Sequence, residues 1–170
     1  MAAITMTFAA FTSAMVVRQG SANDWHHFSF PTILYFNTLV LLASSFTLQI
    51  SRQRFSVGLS RSDEGMKLAL PTMYLTLALG GLFVAGQYVA WHQLRAQGVY
   101  LASAPSSSFF YVFTVLHVLH VVGGLTAMLV VVARLNRVSL RRSTFNATAQ
   151  YWHFMGGLWI YLLILLWTRI

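Results

Sequence analysis

Cysteine is absent from the 170-residue chain. That rules out thiolate metal sites, disulfides and S-palmitoyl anchors, and leaves histidine as the only good transition-metal ligand. Carboxylates are nearly as scarce: Asp24, Asp63 and Glu64 are the full set, and all three fall in segments read as loops. With no carboxylate in any apolar stretch, paired-carboxylate and nucleophilic enzyme sites have no candidates. A proton relay would rest on separated histidines alone, so a pump carried by this chain is not expected. Charge of either sign is thin, at 8% of residues, where a soluble domain carries about 25%. Because 57% of residues are hydrophobic and 15% aromatic, the composition is that of a membrane protein. A net charge of +8 raises the question of nucleic acid. The arginines cluster at the ends of apolar stretches and form no groove-binding face, so no nucleic-acid partner is expected.

What is there is long apolar runs. Five stretches, roughly 1–17, 32–50, 67–91, 107–133 and 149–168, are bounded by charged or turn-forming residues. They are read as the helices of one transmembrane domain over 1–170, since a spanning helix needs about 20 apolar residues. Pro31 and Pro105 stand just before two of them, where a missing N–H costs least, and Pro71 is placed in the first turn of the third. The first stretch is short and has no positively charged n-region, so it is read as a helix and not as a cleaved leader. Short-loop charge then orients the bundle. Arg52, Arg54, Arg61, Lys67, Arg134, Arg137, Arg141 and Arg142 lie on one side, against Arg18, Arg95 and Arg169 on the other. Eight against three places the N-terminus and both basic loops in the cytoplasm and the C-terminus outside. Small residues four apart, Gly81/Ala85, Gly86/Ala90 and Gly123/Ala127, suggest close helix approach, and Trp25, Trp91, Trp152 and Trp167 are read as interfacial.

Residues 106–134, SSSFFYVFTVLHVLHVVGGLTAMLVVVAR, set His117 and His120 near the midplane, where polar side chains are costly. Phe113, His117, His120, Gly124, Ala127 and Val131 share a stripe, so the two histidines face a neighbouring helix. Axial haem ligation needs ligands on opposite faces of the ring, which two residues three apart on one helix cannot supply. His153 is assigned a position some four residues into the fifth helix. That places it roughly 14 Å in depth from His120, too far for a shared ion with metal–nitrogen bonds of about 2 Å. The histidines are therefore expected to be neutral interhelical polar contacts. Asn37 and Gln87 are the other buried polar candidates, each bridging helices for about 0.6 kcal/mol, up to about 2, or lining a water path. His153, with Arg134, Arg137, Arg141 and Arg142 in the preceding loop, is expected to meet anionic phospholipid headgroups at the cytoplasmic interface. The alternative is that these arginines only set topology.

Four segments carry a family resemblance. SSSFFYVFTVLHVLHVVGG resembles the segment of haem-copper oxidase subunit III in which a serine and two phenylalanines precede a histidine pair and two glycines. Tyr151-Trp152-His153-Phe154, followed by Trp159, resembles the YWHF signature of its last helix. NTLVLLASSFT, from Asn37 to Thr47, is similar to the family's helix that opens on Asn-Thr and closes on paired small residues. Gln87 matches a glutamine of the next helix. The resemblance implies an all-α bundle of the five-helix form, split by a V-shaped lipid-filled cleft and docked on catalytic subunit I. It implies no haem or copper in this chain, haem and copper in the partner subunits, and bound phospholipid. It also implies a place in the bacterial plasma membrane beside other oxidase subunits, with an electron-donor complex as a possible supercomplex partner. The sequence departs from the family pattern consistently. Ala3, Ala90 and Gly156 stand where members often carry glutamate, glutamate and aspartate, so every recognisable intramembrane carboxylate is missing. That weighs against proton handling and leaves assembly, lipid binding and oxygen access. It also fits a branch serving a nitric oxide reductase.

Two other classes compete. One is a small membrane cytochrome using these histidines for haem b. The other is a small transporter, disfavoured because no inverted repeat or pair of broken helices is visible. The reading as a subunit without its own redox centre is checked by reduced-minus-oxidised absorbance of the isolated chain. No haem bands are expected, and bands from stoichiometric haem b would install the cytochrome reading.

Overall fold

The computed structural model describes residues 1–21, 24–25, 31–58, 64–137 and 142–170. They form five α-helices and no strand: α1 (Ala2–Ser21), α2 (Ile33–Gly58), α3 (Glu64–Ala96), α4 (Pro105–Asn136) and α5 (Arg142–Arg169). Helices α2 to α5 are each long and apolar enough to cross a membrane. α1 is helical but is not one of those four, a difference from the five spans expected. Thr5, Thr7, Thr12 and Ser13 dilute its apolar content. The first three hydroxyls donate back to carbonyls four residues earlier, so they leave no dangling donor on the helix surface.

Local chemistry sets the helix ends. Pro105 opens α4, where its missing N–H is one the helix would leave free anyway. The Ser107 hydroxyl accepts from the Ala104 N–H at 3.1 Å, taking up a donor at that end. α3 closes on Gly98, at φ +79°. There the Val99 N–H reaches the Leu94 carbonyl and the Gly98 N–H reaches that of Arg95, both at 3.0 Å. This is a Schellman closure, which favours glycine at its left-handed position. Two helices begin earlier than their apolar stretches. α3 starts at Glu64, so this residue is helical and not in a loop, and Pro71 sits beyond the first turn, inside the helix. α5 starts at Arg142, seven residues before the expected 149. Polar first turns escape a reading based on apolar runs.

α2, α3, α4 and α5 close a four-helix ring, each packed on two others, and α1 lies outside it against α4. Phe8 stacks on Phe113 at 6.3 Å, with Phe11 edge-on to the same ring. Tyr161 Oη donates to Thr12 Oγ1 at 3.0 Å, tying α1 to α5. The ring's central contact is Trp152 of α5. Its fully buried indole donates from Nε1 to Ser44 Oγ of α2 at 3.0 Å. The same ring lies on glycines of the other two helices. A β-carbon at Gly80 of α3 would stand 2.9 Å from it, and one at Gly124 of α4 would stand 3.0 Å away. Trp152 was expected at the interface. With α5 beginning at Arg142, it is instead ten residues inside the helix and in the core.

The glycines that matter differ from the expected small-residue pairs. Gly81 has open space where its β-carbon would be, and a β-carbon on Gly123 would come no closer than 3.9 Å to anything. Gly86 does make a close approach, since a β-carbon there would overlap the Asn37 amide. Gly80→Ala and Gly124→Ala are expected to lower stability by about 1–3 kcal/mol each through overpacking against the Trp152 ring. Gly81→Ala is expected to be neutral or slightly stabilising, by up to about 1 kcal/mol of helix propensity. Thermal unfolding of the three variants in detergent checks the contrast.

Candidate functional site

Without water in the hydrocarbon, a polar side chain between helices must find a partner in the protein. Most do so here. Trp159 Nε1 donates to Thr38 Oγ1 at 3.0 Å, Trp91 Nε1 donates to Thr114 Oγ1 at 3.1 Å, and the Thr47 and Thr76 hydroxyls meet at 2.9 Å. Ser51 Oγ donates to the Ala69 carbonyl at 3.0 Å. Asn37 and Gln87, both buried, face each other across α2 and α3, with Asn37 Nδ2 donating to Gln87 Oε1 at 3.4 Å. These two therefore bridge helices. The hydroxyls of Thr38, Ser44 and Thr114, which hold the three indoles, were missed from sequence. For Ser44 the signal is the helical spacing of hydroxyl residues on α2, at Ser44, Thr47 and Ser51, which places them on one face; Thr38 and Thr114 lie outside that series.

The two histidines of α4 part company. His117 is wholly buried, tilted against the Trp159 ring at 5.1 Å and edge-on to Phe83 at 5.9 Å. Neither of its ring nitrogens has a hydrogen-bond partner. His120 sits at the edge of the buried stripe, which runs through Val121 and Met128, and meets Phe8 of α1 at 6.0 Å. Its Nδ1 lies 2.7 Å from the Leu116 carbonyl one turn back. A carbonyl only accepts, so Nδ1 carries a proton. Neither ring makes the interhelical hydrogen bond expected of it. The polar link at this point is instead Tyr151 Oη donating to the His120 backbone carbonyl at 3.0 Å.

That link also corrects the depth of His153. Gly124 packs by Tyr151 and Trp152, so antiparallel register sets His153 opposite Gly123, three residues from His120. The two then differ in depth by about 5 Å, where the sequence suggested roughly 14 Å. The error came from starting α5 at 149. Depth alone thus does not keep the histidines apart. Among the described residues, however, no three His, Asp or Glu side chains gather as a metal ion would need.

The same shift moves His153 away from the start of α5. It is half-buried and eleven residues beyond Arg142, or about 16 Å along the helix. Arg134, Arg137 and Arg142 are exposed at the basic end, and Arg141 lies outside the described residues. Arg52, not expected at this site, donates from Nε to Asn146 Oδ1 at 2.9 Å. With Arg142, Gln49 and Gln53 it lines a polar cavity of about 190 Å³ between α2 and α5. Nearer the middle, Thr5, Phe8 and Ala9 of α1 and Phe154, Gly157, Leu158 and Tyr161 of α5 line a largely apolar cavity of about 410 Å³.

With this geometry in hand, comparison with known proteins is informative. The family profile described as cytochrome c oxidase subunit III matches residues 2–169, which includes all five helices. The chain is 37% identical over 129 residues to a probable cytochrome c oxidase subunit 3 of Nocardia farcinica, covering 72% of this chain and 59% of the relative. A probable cytochrome c oxidase subunit 3 of Mycobacterium leprae is 35% identical over 127 residues, with the same coverage of each. The cytochrome c oxidase subunit 3 of Corynebacterium diphtheriae is 30% identical over 143 residues, 82% of this chain and 66% of the relative. The chain thus spans about three fifths of the length of the first of these relatives.

The indole–hydroxyl bonds can be weighed directly. A double-mutant cycle with Trp152→Phe and Ser44→Ala, read by unfolding in detergent, is expected to return a coupling of about 0.6 kcal/mol, and at most about 1.7. A coupling of zero would mean that the indole is held by packing alone.

Proposed function

We propose a function for this chain from one established premise: it belongs to the cytochrome c oxidase subunit III family. It is a multi-pass protein of the bacterial plasma membrane. Our reading is that it serves as an accessory, cofactor-free subunit of a haem-copper respiratory oxidase, packing beside the catalytic subunit, which holds the haem and copper. The observation that carries this is the extent of the family match, which runs through all five helices. The histidine geometry supports it. His117 is enclosed by Phe83 and Trp159 while His120, three residues on, turns to Phe8, so the two rings do not stand on opposite faces of one site.

The finer parts of the proposal rest on shape and charge. The single domain sits N-terminus in and C-terminus out, since eight of eleven basic residues lie in or beside the α2–α3 and α4–α5 connections, which this orientation makes cytoplasmic. The apolar cavity between α1 and α5 has the lining and width for a phospholipid acyl chain and is the counterpart of the family's cleft. Arg134, Arg137, Arg141 and Arg142 supply the headgroup charge at the basic end. His153, deeper in α5, belongs to the chain region of such a lipid and not to its phosphate. Asn37, Gln87 and His117 serve the rigidity of the ring.

The test is a mild-detergent pull-down of the tagged chain with mass-spectrometric identification of what copurifies. A large haem-copper catalytic subunit is expected. A nitric oxide reductase would move the chain to that complex, and recovery of the chain alone would overturn the proposal. His117→Ala with His120→Ala is expected to destabilise the chain by about 2 kcal/mol or more and to lower the yield of assembled complex several-fold. Turnover per intact complex should stay close to wild type. Normal assembly with lost turnover would defeat the structural role given to these residues.

A further inference from the structure

Among the described residues, four buried side-chain polar atoms lack a hydrogen-bond partner: Nδ1 and Nε2 of His117, Nε2 of Gln87 and Oδ1 of Asn37. They are not scattered. Asn37 and Gln87 are bonded to each other. Asn37 Oδ1 lies against Gly86, where a β-carbon would overlap it, so the Gly86 Cα–H is its contact. That leaves Gln87 Nε2 and the His117 ring. Gln87 is one turn beyond Phe83, whose ring meets His117, and one turn before Trp91, whose indole bonds Thr114. Thr114 is in turn one turn before His117. Antiparallel packing of α3 on α4 therefore sets Gln87 opposite the turn that carries His117.

The chemistry of the two groups is complementary but incomplete. Gln87 Nε2 only donates, while a neutral imidazole has one N–H and one bare nitrogen. The neighbouring hydroxyls are already committed. Thr114 Oγ1 accepts from Trp91 and donates to the Phe110 carbonyl, and Thr38 Oγ1 accepts from Trp159 and donates to the Leu34 carbonyl. Neither group can change partner without stranding another. Buried polar atoms left over in this way are where internal water is found, and such a water makes two to four hydrogen bonds. We propose that one water molecule is held inside the helix ring between α3 and α4, accepting from Gln87 Nε2 and donating to the bare nitrogen of His117. Asn37 fixes the Gln87 carboxamide for this role by holding its Oε1. The remaining imidazole N–H is left among the rings of Phe83 and Trp159. The site follows from the side-chain arrangement alone and does not depend on which complex the chain joins.

Solid-state NMR of the full-length, ¹⁵N-histidine-labelled chain in phospholipid bilayers tests it, with the His117 signal assigned by its loss in His117→Phe. Expected are a magnetisation-transfer peak from water to the His117 ring and an upfield shift of its unprotonated nitrogen, both lost in Gln87→Leu. No water transfer, or a direct coupling between the Gln87 carboxamide and the ring nitrogen, would overturn the proposal. A high-resolution density map of the wild-type chain in its assembled form gives a readout independent of the variants. A peak about 2.7–3.2 Å from both atoms is expected, and a featureless gap or direct contact between them would overturn the site.

Discussion

The Trp152 indole is the contact on which the helix ring depends. It projects from α5 and touches the other three members at once: Ser44 of α2 through a hydrogen bond, and the glycine surfaces at Gly80 of α3 and Gly124 of α4 through its ring. In hydrocarbon, apolar surface gains little by moving from lipid to protein, so helices associate through tight packing and through polar groups that need each other. One large flat side chain over two glycines supplies the packing, and its single N–H supplies the polar tie. Trp159, two turns on, repeats half of the device by donating to Thr38. The α5 helix thus holds α2 by two indole–hydroxyl bonds and α4 by the Tyr151–His120 carbonyl bond, while α3 is held by fit.

The same constraint explains the distribution of polar residues. Hydroxyls dominate inside the ring because each can bond a carbonyl of its own helix while accepting from a neighbour, as Thr114 and Thr38 do. A carboxylate has no such arrangement here. Ala90 is fully buried, and a β-carbon at Gly156 would already stand 3.3 Å from Ser45 Oγ. Glutamate or aspartate at those positions would need room that the packing there does not provide. The missing carboxylates and the close packing are therefore two sides of one design, in which the interior is specialised for cohesion.

Much of this was legible in the sequence, though unevenly. Low charge and long apolar runs are sufficient for an all-α membrane class, because only helices and closed barrels satisfy a backbone in lipid. The histidine, YWHF and Asn-Thr segments carried the family. Depth and direction were not legible. α5 gains seven residues at its start, five of them polar, which lie outside the apolar run. That offset moved Trp152 from the interface to the core and His153 from the headgroups toward the level of His120. Nor does a shared helical stripe say which neighbour each member meets. His117 turns to Trp159 and Phe83 while His120, three residues on, turns to Phe8. Gly80, the glycine under Trp152, was passed over for Gly81 because a small-residue spacing does not reveal which of two adjacent glycines faces in.

α1 is held differently from the rest, and this bears on how lipid and partner fit together. It meets the ring through Phe8 and Phe11 on Phe113 and through the Tyr161–Thr12 bond, with an apolar cavity left between it and α5. A helix attached along one edge, beside a space lined by Phe154, Leu158 and its own Phe8, gains further support from whatever fills that space. An acyl chain there would contact α1 over Thr5–Ala9 and α5 over Phe154–Tyr161, adding dispersion contacts that the protein alone does not make. Lipid in this position would act as a structural component of the α1 attachment. The rigid ring, closed by Trp152, needs no such support. Loss of lipid should then loosen α1 before it disturbs the ring, which separates the part of the subunit that lipid governs from the part that its own side chains govern.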